Sequence, residues 1–417
     1  MKPQIKKREK DLDIYKLSVA EEYYLYDMST THAPIELNDF RGFYKIDEKV
    51  DIDKLLKCMI DTIKNHKAYF VNFDFEKKIK FIGHNKINEP KKIIIKKEDF
   101  EQYRKDKIKN IRRDVKKDVL YDFEVLYVGE EIYLHVDMNH MIYDGTAISI
   151  FFDEVNERYK GNIPEKENLD VFDLAIYDEE VRKSPFYNEA LKYFDNLYKD
   201  LPEKINKNWT GEKSFAIKYP DEINYMMLDK LFKKYKTQES IFLQAVAVKA
   251  LAKCFNRDVI TYKIMVDGRE DEGLKRLQGG YTPRGFFMAL DVKKHNSMDS
   301  LIKEVQKQFK ESEYYSVVDI KYLIDKYKNL ESYIMINIRG ENNMDLKVGD
   351  NVYPFLPIGY YYDDFLNYTF INLVIDRKDG KYMIGTSSGY LNQNELDNWI
   401  KIYIETLVDS YNELLKN

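Results

Sequence analysis

The sequence predicts a mixed α/β protein, because two hydrophobic periods take turns along it. Helical spacing appears in Ile52, Leu55, Leu56, Met59, Ile60 and Ile63, and strand alternation in Ile132, Leu134, Val136 and Met138. Composition is the third observation: 417 residues, 44% hydrophobic and 33% charged, with 17 Gly and 10 Pro, suit a packed globular chain and argue against disorder. At roughly 150 residues per domain the length allows two or three domains, and both halves carry dense apolar patterning.

Each element follows from local signals. Ser18 with Glu21 three residues on forms a capping box that opens a short helix carrying Tyr23, Tyr24, Leu25 and Met28. A strand is expected around Phe40 to Ile46, and an amphipathic helix from Asp51 to Asn65 with His66 just behind it. Apolar runs at Tyr69 to Phe75, Lys78 to Ile82 and Lys92 to Ile95 read as strands, and Glu98 to about Val115 as a charged surface helix. Tyr121 to Val128 and Ile132 to Met138 form two strands around Gly129-Glu130, and the alternation of the second, continued, carries His140 on its apolar face. A helix with Ile148, Phe151, Phe152, Val155 and Tyr159 follows, so Asn139 to Gly145 is a strand-to-helix connection.

Gly161 to about Asn208 is charged, with Pro164, Pro185 and Pro202 around a helical stretch, which suits a bridge between two lobes; the boundary is set at residues 165 and 166. Thr237 is the expected N-cap of a helix apolar on most sides, from Ile241 to Leu251. Strand Val259 to Val266 ends at Asp267-Gly268-Arg269. Beyond it lie a helix Met298 to Glu311, a strand Tyr333 to Ile338, a hairpin turning at Asp379-Gly380, and a final helix Leu396 to Leu415.

Bulk charge narrows the function classes. The 67 basic and 72 acidic residues give a net charge of -5, so nucleic acid is not an expected partner. Lys2 to Lys10 is polar with no apolar run behind it, and no segment has the roughly 18 uninterrupted apolar residues of a bilayer span, so a cytoplasmic protein without membrane association is expected. Cys58 and Cys254, each in an apolar helical pattern, read as inert core thiols in a reducing compartment. The 35 Tyr and 23 Phe are spread through every element and read mainly as core and lining. No metal site is expected: His66 and His135 lack partners at ligand spacing and read as structural histidines. No phosphate loop or dinucleotide glycine pattern appears.

The chemistry centres on Asn139-His140-Met141-Ile142-Tyr143-Asp144-Gly145. Attack of an amine or alcohol on a thioester needs a group of near-neutral pKa to accept or steer a proton, which imidazole supplies. An aspartate four residues on can hold the loop by pairing with a cation. A glycine after it lets a backbone N–H approach the reacting carbonyl and stabilise charge developing on its oxygen.

The region from Tyr121 through His140 to Phe152 resembles that around the His-His-x-x-x-Asp-Gly motif of nonribosomal peptide condensation domains and related acyltransferases. Leu17-Ser18 resembles the family's opening Leu-Ser motif, Ile63 to Phe73 its following His-containing segment, and Val266 to Arg269 its strand-ending Gly-Arg motif; Tyr193-Phe194 sits where the family has Tyr-Trp. The resemblance implies two chloramphenicol-acetyltransferase-like α/β lobes, residues 1–165 and 166–417, arranged as a V with a central tunnel. It makes His140 the catalytic histidine, Asp144 the structural aspartate paired with Arg269, and Gly145 the tunnel glycine. Tyr143 and Asn337 are candidate tunnel residues. Asn139 departs from the motif's first histidine, a supporting position, and Phe194 reads as a packing change.

The resemblance further implies a freestanding acyltransferase with no bound cofactor. Its donor is expected to be a 4'-phosphopantetheine thioester on an acyl or peptidyl carrier protein acting in trans, and its acceptor a small amine, giving an amide. Ester formation on an alcohol, acyl-coenzyme A as donor, and a noncatalytic binding module are the alternatives. Lys91, Lys92, Lys96, Lys97, Arg104, Lys105, Lys107, Lys109, Arg112, Arg113, Lys116 and Lys117 make the most basic stretch, read as a solvated face or as a docking surface for an acidic carrier. Gln278-Gly279-Gly280-Tyr281-Thr282 is faintly similar to a carrier Gly-Gly-x-Ser site but lacks the serine.

Overall fold

The computed structural model describes residues 2–31, 40–83, 86–110, 113–205, 208, 214–269, 272–280, 282–331, 334–339, 344–356, 371–378 and 381–416. In chain order the first elements are β1 (Tyr15–Lys16), α1 (Val19–Thr31), β2 (Phe40–Ile46), α2 (Ile52–Asn65), β3 (Val71–Asp74), β4 (Ile79–Ile82), β5 (Lys91–Ile95) and α3 (Phe100–Asn110). Then come β6 (Tyr121–Val128), β7 (Glu131–Met138), α4 (Gly145–Tyr159), α5 (Val171–Arg182), α6 (Pro185–Tyr198), β8 (Ser214–Lys218), α7 (Tyr225–Tyr235), α8 (Glu239–Phe255), β9 (Val259–Val266) and β10 (Arg284–Asp291). The remainder is α9 (Met298–Tyr314), α10 (Ile320–Lys326), β11 (Ile334–Arg339), β12 (Leu346–Val348), β13 (Asn351–Tyr353), β14 (Ile371–Lys378), β15 (Lys381–Ser388) and α11 (Gln393–Lys416).

The chain divides into two compact units. One comprises Met1–Phe186, Asp267–Pro283 and Asn343–Tyr361, the other Tyr187–Val266, Arg284–Asn342 and Tyr362–Asn417. The boundary expected at 165 falls inside the first segment, and two later segments return to the first unit.

In the first unit β2-β7-β6-β5 form one sheet, antiparallel except for the β5–β6 pair. Alternation in β7 sends Leu134, Val136 and Met138 into the main core beside Phe123, Phe151 and Phe152, and sends His135 to the opposite face. Helices α2 and α4 bury their apolar stripes there, Leu55, Met59 and Ile63 from one and Ile148, Phe151 and Val155 from the other. Asp51 caps α2 by accepting the Lys54 N–H at 3.0 Å, as Ser18 and Glu21 cap α1 reciprocally at 3.2 and 2.7 Å.

The second unit carries a six-stranded sheet in the order β10-β9-β11-β14-β15-β8. Its helix α8 is buried from Ile241 through Val248, as a sequence apolar on most sides requires.

Several expected boundaries move. The charged helix spans Phe100–Asn110 after a 3-10 turn, rather than Glu98 to Val115. Gln238, not Thr237, occupies the N-cap position of α8 and makes no side-chain capping bond there; α7 ends at left-handed Lys236. Tyr69 lies in a 3-10 turn before β3. The bridge carries two helices, α5 and α6, where one stretch is expected. The hairpin turn Asp379-Gly380 and Tyr333 lie outside the described residues. No helix among those residues is long and apolar enough to cross a membrane. Cys58 is buried and Cys254 only partly so.

Candidate active site

The turn after β7 is built by Asn139. Its N–H donates to the Leu120 carbonyl at 2.8 Å, its carbonyl accepts the Ile142 N–H at 3.0 Å, and its buried side-chain oxygen accepts the Met141 N–H at 3.0 Å. An Asx turn of this kind ends the strand at Met138 and lifts His140 out of the alternation that would have carried it on. Asp144 then caps α4, its Oδ1 accepting the Ala147 N–H at 2.9 Å. Gly145, the first residue of that helix, is exposed, and a Cβ placed on it would meet no atom within 4 Å. Packing therefore does not demand glycine there, and the amide end of α4 carries no side chain at that position.

His140 keeps part of its surface exposed while packing between two tyrosines, stacked on Tyr143 at 4.7 Å and 16° and edge-on to Tyr24 at 5.6 Å. Its Nδ1 lies 2.8 Å from the Tyr143 carbonyl oxygen. A carbonyl only accepts, so Nδ1 carries the proton of the neutral ring and Nε2 bears the lone pair. Burial holds the pKa below that of an ordinary imidazole, against the opposing pull of the Tyr143 carbonyl and the Asp144 charge. Near neutral pH the ring is neutral.

Asp144 makes no direct bond to that ring. Its Oδ2 meets Arg269 Nη1 at 2.9 Å and accepts from the Thr282 N–H at 3.2 Å. The Thr282 hydroxyl, 2.9 Å from the same oxygen and 2.8 Å from the Asp267 carbonyl, shares its proton between them. Arg269 is 4% exposed; burial works against its charge, and Asp144 and Asp267 outweigh it.

The segment from Gln278 to Thr282, read from sequence only as a faint carrier-like string, is a buttress for this turn. Gly280 N–H donates to the Ile142 carbonyl at 2.8 Å, and the Tyr69 hydroxyl donates to Gln278 Oε1 at 2.7 Å. Gly279 and Gly280 have φ of +72° and +79°, and a Cβ on either would fall 2.3 Å from Ala68 Cβ or 2.4 Å from Val171 Cγ1. Two adjacent glycines soon after Gly268-Arg269 were the available signal: they mark backbone pressed closely against something. Tyr281 lies outside the described residues.

Other expected residues fall elsewhere. Asn337 sits half-buried in β11 of the second unit, in register with Val374 of β14. Phe194 is buried and stacks on Tyr198 at 5.5 Å, and the Tyr193 hydroxyl meets Ser312 Oγ at 2.9 Å, a packing arrangement. His135 is buried against Glu124, whose carboxyl is held at about 2: burial raises it, but His135 and Lys107 bring it down. His66 lies between Glu167, 2.8 Å from Nδ1, and Glu154, 2.9 Å from Nε2. Much of the basic stretch is spent on neighbouring carboxylates: Lys91 on Asp122, Lys92 on Asp53, Lys107 on Glu124, Arg113 on Asp137, Lys116 on Asp74 and Lys117 on Asp114. Lys109 and Arg112 have side chains outside the described set. Among the described residues no three His, Cys, Asp or Glu side chains gather as metal ligands.

Solved structures share this fold across nearly the whole chain. The condensation domain from monacolin K polyketide synthase aligns with a TM-score of 0.80 at 12% identity, covering 96% of this chain and 98% of that one. The X-domain from teicoplanin biosynthesis aligns at 0.79 and 12% identity, covering 99% and 98%. The epimerization domain from the third module of tyrocidine synthetase B aligns at 0.76 and 12% identity, covering 99% of each. This chain therefore has the chloramphenicol-acetyltransferase-like α/β fold of condensation domains. Nonribosomal peptide synthetase 2 of Gibberella zeae (strain ATCC MYA-4620 / CBS 123657 / FGSC 9075 / NRRL 31084 / PH-1) is 20% identical over 159 residues, which are 38% of this chain and only 3% of that protein. The condensation domain family model matches residues 41–343, a span holding His140, Asp144 and Arg269, and the chain belongs to that family.

Proposed function

We propose that this protein transfers an acyl or peptidyl group from a phosphopantetheine thioester on a carrier protein to an amine, forming an amide in nonribosomal peptide or related natural-product synthesis. The observation that carries the reading is His140: a partly exposed imidazole with its protonated Nδ1 on a backbone carbonyl and its pKa held low. In the proposed step the amine nitrogen attacks the thioester carbon while Nε2 accepts a proton from it. The C–S bond then breaks and the sulfur departs as the thiol, taking up that proton. The amide end of α4 at Gly145 receives the negative charge that builds on the carbonyl oxygen.

Asn139 bears on the noncatalytic alternative, which would lean on the loss of the motif's first histidine. Its side chain is buried and engaged in the turn, so the exchange removes no group from the reacting side of the loop. An alcohol acceptor or an acyl-coenzyme A donor would use the same imidazole.

The test is intact-protein mass spectrometry of acyl-loaded carriers with amine acceptors, comparing the parent protein with His140→Ala. A loss of roughly 10²-fold or more in turnover, with the thermal unfolding midpoint unchanged, is expected. Equal turnover in the two proteins would overturn the assignment of His140. Products cleaved by hydroxylamine would identify esters in place of amides.

A further inference from the structure

We infer that Phe355 is a positioning residue for His140, acting through Phe40 and Tyr143. The kinetic part of this inference rests on the acyl-transfer reading above; the geometric part does not.

Phe355 lies on the segment 344–356 that returns to the first unit long after the sheet it packs on has been laid down. That segment is fixed from several directions. Leu356 N–H donates to the Phe43 carbonyl at 2.9 Å, Phe355 N–H to Asp345 Oδ1 at 2.9 Å, and the Tyr44 hydroxyl to the Met344 carbonyl at 2.8 Å. The short hairpin β12–β13 gives it shape, and Lys347 pairs with Asp153 on α4 at 2.9 Å.

From this segment a column of rings runs to the active histidine. Phe355 stacks on Phe40 with centroids 5.4 Å apart and planes at 25°. Phe40 meets Tyr143 edge-on at 5.6 Å, and Tyr143 stacks on His140 at 4.7 Å. The two middle rings are 3% and 7% exposed, so neither can shift without its neighbour following. Tyr143 holds His140 twice, by its ring face and by the carbonyl that receives the Nδ1 proton. A displacement of Tyr143 therefore alters both the orientation of the imidazole and the bond that sets its tautomer. Gly42 shows how closely the column is seated: a Cβ there would come within 2.8 Å of the Phe355 ring and 2.9 Å of the Phe40 ring.

The closing experiment uses the full chain and disturbs the column in two ways, Phe355→Ala removing its outer ring and Gly42→Ala crowding that ring and Phe40 together. The chain has six histidines, so the His140 resonance can be assigned by its loss in His140→Ala and titrated by NMR. In both variants the His140 titration is expected to shift from that of the parent, because the burial of the ring and its bond to the Tyr143 carbonyl both change. The kcat should fall roughly tenfold with KM nearly unchanged, because a small misplacement of a catalytic group acts on the transition state. Phe355→Tyr, which keeps the ring, should restore both values. The resonance of His66, clamped elsewhere in the unit, reports that each variant is folded; Phe355→Leu replaces Phe355→Ala if the latter is not. An unchanged His140 titration in folded Phe355 and Gly42 variants would overturn the inference. If the titration moves as expected but the parent protein transfers no acyl group, the column stands and the acyl-transfer reading falls.

Discussion

His66 and His140 each follow closely behind an element of the first unit, one after α2 and one after β7, yet they are held in opposite states. His66 is 1% exposed with a carboxylate oxygen under 3 Å from each ring nitrogen. An ionised carboxylate only accepts, so both nitrogens donate and the ring is an imidazolium; its pKa is pushed up to about 9, burial opposing and the two carboxylates prevailing. His140 has a backbone carbonyl on one nitrogen, and the nearby carboxylate of Asp144 is turned toward Arg269 and Thr282. Where the carboxylates point separates a fixed structural cation from an imidazole kept neutral. Anions on both nitrogens would have removed the lone pair on which the proposed transfer depends.

The strongest way to break this contrast is Asp144→Ala. If the carboxylate is there to offset buried Arg269 and cap α4, its loss leaves the guanidinium with Asp267 as its carboxylate partner and opens the helix end. The expected cost is about 4 kcal/mol, read as a lower midpoint in urea unfolding. A variant as stable as the parent and merely slow would mean that Asp144 serves the reaction directly, and the division of labour between the two turns would disappear.

Next in size is the pH dependence of stability that His66 confers. Its folded pKa is raised above the ordinary 6.5, so its contribution is fully present below about pH 6.5 and is lost as pH rises through about 9. The contribution amounts to roughly 2–3 kcal/mol after allowance for the cost of burying the cluster. Unfolding midpoints measured from pH 6 to 10 should fall for the parent and stay flatter for His66→Gln across that window. His140→Ala should leave the fall through about pH 9 as it is, since an imidazole held neutral in the folded chain bears on the slope only near its ordinary pKa. Parallel curves for the parent and His66→Gln would remove the imidazolium from the account.

What could be read from the sequence depended on distance along the chain. The helix opening near Asp51, the box of Ser18 and Glu21, and the turn from Asn139 to Gly145 involve residues within a few positions of one another, and the local pattern carries them. The same pattern misplaced the α8 cap at Thr237 by one residue: a hydroxyl residue signals that a helix starts nearby, and the N-cap position falls on Gln238, whose side chain makes no capping bond. The clamp on His66 draws on carboxylates 88 and 101 residues away, and Thr282 reaches Asp144 across 138. No periodicity encodes such pairings. Arg269 was placed beside Asp144 by family resemblance alone, and Gln278, Gly279, Gly280 and Thr282, outside the resemblance, went unrecognised as a site element.

The smallest of these effects tests that unrecognised element. Tyr69 follows His66 by one turn of 3-10 helix, its ring edge-on to the imidazole at 6.4 Å, and its hydroxyl donates to Gln278. Tyr69 thus joins the charged histidine's surroundings to the segment whose Gly280 N–H supports the carbonyl of Ile142, two residues past His140. Tyr69→Phe keeps the ring and deletes one hydrogen bond, leaving the fully buried Gln278 oxygen without that donor. Stability should drop by about 1–2 kcal/mol, and turnover by only a few-fold, because the glycine contacts and the Thr282–Asp144 bonds still seat the turn. Hydrogen exchange at the Gly280 amide measures the coupling directly: faster exchange in Tyr69→Phe is expected, since the amide's partner is the turn itself. Unchanged exchange would mean that the two histidine regions are held independently, each by its own contacts, and that the buttress answers only to Asp144.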